Sequence, residues 1–472
     1  MKKPINIFSF IVISLSLWLL SSCAQDRSGE YEALIGQDKW IYETMSKYYL
    51  WNSDMPTMEE DNFFTDAETF FKSLLSKSCR NGKGDSFSYI EKNESTTTKS
   101  VHFGKSSTYG FDFVLYEDPT GISTHKYARV IYVMPDSPAY KAHLKRGQWI
   151  ESVNGETLTS DNYTELINGN GISLTIDSLV DNDGTYTWSK DGDYNIEASY
   201  YMEDNPFYVD SVYTVNNKKI AYLMYNSFST GPDDSADETT YSDQMKRIFQ
   251  KFKAAQPDAF ILDLRYNPGG YVTMAQKLAS LLVPQANLGK TFCSLEYNDK
   301  NQDLNSSYSL DANYASGANL NLSKIYILTG EYTASASELV INGLIPYMGK
   351  DNVVLIGATT VGKNVAAKAF TQDNDNQYTI YPIVATCYNS DHSSDYVSGF
   401  SPTYSVDEIK SYSSLQPLGS TNELLLAYAI DLITNNSTTI DANYINSYIS
   451  RSNLTERYCS LRRKQLNGVL IK

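Results

Sequence analysis

Ala259-Phe260-Ile261-Leu262-Asp263-Leu264-Arg265-Tyr266-Asn267-Pro268-Gly269-Gly270 is the stretch whose reading decides the fold. Its first six residues are almost all apolar, the mark of a strand covered on both faces, and Pro-Gly-Gly closes it in a turn. Upstream, Ile220–Tyr225 reads as a strand, and 239–255 as a helix with Met245, Ile248, Phe249 and Phe252 on one face. Downstream follow a helix (about 271–282), a strand (Lys324–Leu328), a helix (335–348) and a strand (Asn352–Ile356). Repeated β–α–β order predicts a mainly parallel, helix-covered sheet within residues 206–472. Ligands in such sheets gather beyond the carboxyl ends of the strands. Three segments fall there: Asp263–Gly270, Tyr332-Thr333-Ala334-Ser335-Ala336-Ser337-Glu338, and Gly357-Ala358-Thr359-Thr360-Val361-Gly362-Lys363-Asn364.

Each segment has an ordinary reading. Ser335-x-x-Glu338 ahead of an apolar helix is a capping box, and from the motif alone a cap is favoured over a nucleophile. The two roles are compatible, because a helix N-terminus also stabilises an alkoxide. Gly357 to Lys363 fits seven positions of a phosphate-binding loop, but Asn364 replaces the hydroxyl that would hold Mg²⁺. With 39 Lys+Arg against 55 Asp+Glu the formal charge is −16, which argues against a nucleic-acid partner. The four His and five Cys are scattered without ligand spacing, so no metal site and no cofactor is predicted.

At the N-terminus, Lys2 and Lys3 precede an apolar run from Ile5 to Leu20, ending in Ser21-Ser22-Cys23. This reads as a secretory signal peptide over 1–22. Its end resembles the bacterial lipoprotein box, which implies lipid on Cys23, a polar tether over 23–35 and an extracytoplasmic, membrane-anchored protein (periplasm or cell surface). Loss of the two lysines takes the charge from −16 to −18. Cys79, Cys293, Cys387 and Cys459 remain, and an oxidising compartment permits pairing that their spacing does not specify. Helical spacing of Trp40, Ile41, Met45, Tyr48 and Tyr49, then of Phe63 to Leu75, predicts a small helical domain over 36–98. The basic end, Arg457 to Lys472, reads as a solvated helix face.

Residues 99–205 carry short β-like runs. Asp183-Gly184 and Asp191-Gly192 read as hairpin turns. The runs Asp136-Ser137-Pro138-Ala139, Leu144-Lys145-Arg146-Gly147-Gln148-Trp149-Ile150 and Val153-Asn154-Gly155 resemble a PDZ domain. Such a domain adds a peptide strand to a sheet edge and holds its carboxylate in a backbone nest. By that resemblance the carboxylate loop is Tyr109, Gly110, Phe111, Asp112 and Phe113.

Taken together, Ala334-Ser335-Ala336-Ser337-Glu338, Gly362-Lys363, Leu264–Gly270 and Gly399-Phe400-Ser401-Pro402, behind a PDZ-like stretch and a secretion signal, resemble the carboxyl-terminal processing serine peptidases, or tail-specific proteases. The resemblance implies a multidomain α+β protein: a small N-terminal helical domain, a PDZ-like β domain and an α/β crotonase/ClpP-like peptidase core. It implies cleavage near the carboxyl ends of unfolded or loosely structured proteins through an acyl-enzyme. Motif by motif, Ser335 takes the nucleophile's place and Lys363 the general base's. Backbone N–H groups of Ala336 and Gly270, or of Gly269, form the oxyanion hole. Many relatives carry Gln four residues after the lysine, where this chain has Ala367, so the residue that orients Lys363 is left open. A lysine base must be neutral, which requires a dry pocket to lower its pKa toward ~7–8. His392 is the alternative base. A peptide-binding lipoprotein without catalysis is the alternative function.

Overall fold

Alternation of apolar runs and amphipathic helices builds the expected central sheet. The computed structural model describes residues 28–59, 62–93, 105–121, 123–182, 185–233, 235, 237–372, 375–410, 415–435, 454–461 and 469–471. Residues 1–22, predicted as a signal peptide, and Cys23 lie outside them. The central sheet runs, in order, Phe207–Val215, Lys218–Tyr225, Ala259–Asp263, Ile325–Thr329, Val353–Gly357 and Tyr404–Ser405. Its first pair is antiparallel and the rest are parallel. Helices Thr240–Ala255, Val272–Leu282 and Ala336–Met348 bury Phe249, Leu278 and Leu339 in the core with Leu262 and Ile327. Helix Leu424–Asn435 sends Leu425, Leu426 and Ala429 to a second core with Ile261, Leu328 and Ile356, as alternate strand residues face opposite ways.

A second sheet was not legible in the strand–helix alternation. It orders Ser306–Ser309, Thr291–Tyr297, Ile383–Asn389, Val365–Ala367 and Val469–Leu470. The first three pairings are antiparallel and the last is parallel.

The N-terminal unit departs from its predicted outline. Its first helix is Ser28–Tyr48, so helix begins inside the stretch expected to be a tether. The unit is not purely helical: strand Tyr89–Lys92 pairs antiparallel with Asp375–Tyr381. Its core (Ile41, Met45, Phe70, Phe71, Leu74) is completed by Val365, Ala367, Ile380 and Ile383, so it packs directly behind the strand that follows Lys363.

The middle unit is an antiparallel sheet, Phe111–Glu117, Lys126–Val133, Trp149–Val153, Ile172–Asn182 and Thr185–Ile196. Asp191-Gly192 is not a turn, because the last strand runs through it and Gly192 lies opposite Ile176 beside a bulge. The outermost strand of this sheet comes from the far end of the chain: Glu456–Cys459 pairs with Phe111–Glu117. That corrects the helical reading of the basic end at these residues.

A buried ionic cluster locks the middle unit to the central sheet. Arg146 donates to Ile131 O at 2.9 Å and to Glu408 at 2.7 Å. Arg265, also buried, donates to Glu408 and Glu423 at 2.7 Å and to Asp263 Oδ2 at 2.8 Å. Desolvated charges are stable only when each is paired, as here; removing one partner costs about 3–5 kcal/mol. The cluster fixes the base of the Arg265–Gly270 turn.

Candidate active site

Ser335 sits where strand Ile325–Thr329 gives way to helix Ala336–Met348. Its backbone lies at φ 62° and ψ −112°, a conformation that costs a residue with a Cβ about 1–3 kcal/mol. Ordinary N-caps use extended dihedrals, so capping does not account for this strain. Gly269 permits it: a Cβ there would come within 2.7 Å of Ser335 Cβ and 3.1 Å of Ala336 N.

Ser335 and Glu338 occupy the capping-box positions, but the half closed by a hydrogen bond is Glu338's, whose Oε2 accepts the Ser335 N–H at 2.8 Å. The Ser335 hydroxyl is fully buried and makes no hydrogen bond of proper geometry among the described residues. Glu338 does more than cap. Its Oε1 accepts the Thr360 hydroxyl and the Gly362 N–H, both at 2.6 Å, and its Oε2 also accepts the Lys363 N–H at 2.8 Å. One carboxylate oxygen therefore ties the backbone of Ser335 to that of Lys363. Burial raises the Glu338 pKa and these donors pull it back, with burial dominant.

Lys363 is 1 % exposed, and its amine likewise has no hydrogen-bond partner among the described residues. Burial lowers its pKa from 10.5 to about 8; the Asp85 charge opposes the fall and Arg80 adds to it. The N-terminal unit walls this pocket. The Lys363 amine lies 5.0 Å from the centre of the Phe87 ring, and the Arg80 guanidinium 4.2 Å from the same ring. Arg80 also donates to Gly362 O at 2.8 Å and to Val397 O at 3.3 Å, bracing the lysine loop. No hydrogen bond joins Ser335 to Lys363, and both are shut from solvent.

The predicted oxyanion donors divide. Gly269 N–H donates to Asn267 Oδ1 at 2.9 Å and is unavailable. Gly270 and Ala336 N–H have no acceptor among the described residues. Asn267 in turn donates to Tyr225 O at 2.8 Å and holds the turn.

Ala367 explains the missing amide. Its side chain is buried in the apolar core shared with the N-terminal helices, where Gln would lack partners. The phosphate-loop alternative fails on hydrogen bonding. Ala358, Thr360 and Val361 donate to Thr329, Phe400 and Thr333 carbonyls, and Gly362 and Lys363 donate to Glu338. His392 is exposed and pairs with Glu296 at 3.0 Å. The four described cysteines are buried and free. Tyr109 donates its hydroxyl to Asn170 O, and the Phe111–Glu117 edge beside it is the one filled by Glu456–Cys459. Glu338 was legible only as a cap; Arg80, Asp85 and Phe87 carried no local signal.

Comparison with known proteins bears on this geometry. The profile of peptidase family S41 matches residues 219–406, and that of the S41 N-terminal domain matches residues 36–89. The crystal structure of a Bacteroides fragilis NCTC 9343 protein assigned to the S41 proteases is 35 % identical, with a TM-score of 0.73 over 84 % of this chain and 97 % of that one. The carboxy-terminal processing protease CtpA of Bacillus subtilis is 24 % identical over 67 % of this chain and 62 % of its own length. The carboxyl-terminal-processing protease of Picosynechococcus sp. is 26 % identical over 51 % and 52 %. The chain thus spans between half and two thirds of the length of these two relatives.

Proposed function

Because the chain belongs to peptidase family S41, we propose that it is a serine endopeptidase working through Ser335 and Lys363. The neutral Lys363 amine takes the Ser335 proton as the oxygen attacks the scissile carbonyl. The resulting oxyanion is received by Gly270 and Ala336 N–H, each such donor contributing typically ~10²–10³ in rate. Lys363 then gives its proton to the leaving amine, and water, deprotonated in the same way, releases the acyl group. Glu338 and Phe87 are positioning residues: the first registers serine and lysine loops, the second keeps the amine dry.

One observation carries the reading. A strained serine is pinned through Glu338 to a buried lysine amine whose pKa lies near 8, and among the described residues neither the buried serine hydroxyl nor the amine has a hydrogen-bond partner. A structural cap requires neither the strain nor the dry amine. Strained, orphaned groups concentrate where chemistry is done.

The middle unit serves as a PDZ-like docking domain in this reading, taking extended protein tails along Phe111–Glu117 with their carboxylates toward Tyr109–Phe113. Substrates are unstructured carboxyl termini, and lipid on Cys23 tethers the enzyme outside the cytoplasm. The test is casein cleavage by the soluble form beginning after Cys23, beside Ser335→Ala and Lys363→Ala. Turnover at the parent rate by either variant rules out these roles. The missing Ser335–Lys363 hydrogen bond favours a second reading, a peptide receptor without catalysis, for which a serine-directed covalent probe leaves Ser335 unlabelled.

A further inference from the structure

A docking edge needs unpaired main-chain groups, and here they are taken. Glu456, Tyr458 and Cys459 lie opposite Tyr116, Leu115 and Val114 in an antiparallel pair. The pairing extends at both ends: Glu117 N–H donates to Thr455 O, and Ser460 N–H to Phe113 O, each at 3.0 Å. The segment runs toward the Tyr109–Phe113 loop, the direction a docked carboxyl terminus would take. Its side chains are read as well. The Ser460 hydroxyl donates to buried Asp112 at 2.6 Å and accepts the Phe113 N–H at 2.9 Å. The Tyr458 ring lies 4.5 Å from that of Tyr163.

The same end of the chain reaches the catalytic strand. Val469 and Leu470 pair in parallel with Ala366 and Ala367, and Ile471 N–H donates to Ala367 O at 3.2 Å. Two stretches of one terminal segment thus occupy the docking edge and the strand that begins two residues after Lys363, while Ser335 and Lys363 are closed to solvent.

We propose that Thr455–Leu461 is an internal ligand of the Phe111–Glu117 edge, which an incoming protein tail with a hydroxyl-bearing residue facing Asp112 must displace before it is cleaved. This rests on the peptidase and docking reading above and adds its regulation and tail preference. Main-chain pairing makes the resident strand replaceable by any extended peptide, whereas Asp112 rewards a Ser or Thr. The strand is short, and its ion pair from Arg457 to Glu117 is solvent-facing and weakly stabilising. An occupant that held the edge in about 99 of 100 molecules would weaken a competing tail about a hundredfold.

Val114→Cys in the full chain tests this. It sets a thiol opposite native Cys459, and both positions belong to one buried cluster, so oxidation locks the resident strand. Ser460→Asp is the complementary variant, driving the strand out by placing a second carboxylate against Asp112. The probe is a fluorescein-labelled peptide of Thr455–Leu461 carrying Ser at position 459, followed by anisotropy. Oxidised Val114→Cys is expected to bind it at least tenfold more weakly than the reduced form, and Ser460→Asp at least tenfold more tightly than the parent. Casein cleavage should fall tenfold on oxidation and return on reduction. Equal peptide binding by the oxidised, reduced and Ser460→Asp proteins overturns the proposal, as does undiminished casein cleavage by the locked form. If no form, the parent included, cleaves casein, the peptidase reading has failed, and the binding measurements still decide the internal ligand.

Discussion

Replacing Lys363 with Met should make the protein more stable and catalytically dead. The amine's pKa falls from 10.5 to about 8 on burial, which at ~1.36 kcal/mol per unit corresponds to about 3 kcal/mol. Below pH 8 the amine is charged in both the folded and the unfolded chain, and the folded state carries the whole cost of holding that charge in a dry pocket. Between pH 8 and 10.5 the unfolded chain binds more protons than the folded one, so stability rises with pH across this window. Above 10.5 both forms are neutral and the cost vanishes. Met fills the same volume without a charge, so Lys363→Met should gain about 3 kcal/mol at pH 7 and almost nothing at pH 10.5. Urea denaturation of both proteins at the two pH values measures this, with the midpoints compared at unchanged slope. A variant no more stable than its parent at pH 7, or equally favoured at both pH values, would refute the dry-amine argument. The same protonation governs rate: about one molecule in eleven holds a neutral Lys363 at pH 7 if its pKa is 8. Parent kcat/KM should therefore climb nearly tenfold per pH unit at lower pH and level off above 8.

Three other substitutions probe the surroundings. Phe87→Leu thins the wall over the amine, so the inflection of the pH–rate profile should move up toward 10.5; an unmoved inflection rules out the ring's part in keeping the pocket dry. Glu338→Gln turns amide hydrogens toward the N–H groups of Ser335 and Lys363 or, with the amide flipped, toward the N–H of Gly362 and the hydroxyl of Thr360. It should cost about 2–4 kcal/mol of stability by denaturation and at least a hundredfold in kcat, with KM for casein little changed. Gly269→Ala drives a methyl to 2.7 Å from Ser335 Cβ; probe labelling of Ser335 should slow at least tenfold, with about 1–3 kcal/mol lost to overpacking.

The architecture explains why two distant units converge on one amine. The Arg265 cluster holds the Arg265–Gly270 turn from one side and, through Arg146, the middle unit. Arg80 and Phe87 hold the lysine loop from the other. A shift of either unit therefore reaches the loops of Ser335 and Lys363 through bonds that are already made.

The sequence by itself determined the four inner strands of the central sheet, because apolar period, glycine punctuation and strand length are local properties that survive without tertiary context. It also marked Ser335, Lys363 and Gly270 at strand ends, where turn chemistry is written in neighbouring residues. Only the tertiary structure decided what Glu338 does, since one carboxylate serving as a cap and as the anchor of another loop looks the same along the chain. The Arg80 bond to Gly362 spans 282 positions, and the Ser460 bond to Phe113 spans 347. Contacts of that separation leave no period and no motif. For that reason the second sheet, the wall over Lys363 and the strand Glu456–Cys459 beside Phe111–Glu117 had to come from the folded chain, where packing rather than neighbourhood sets who meets whom.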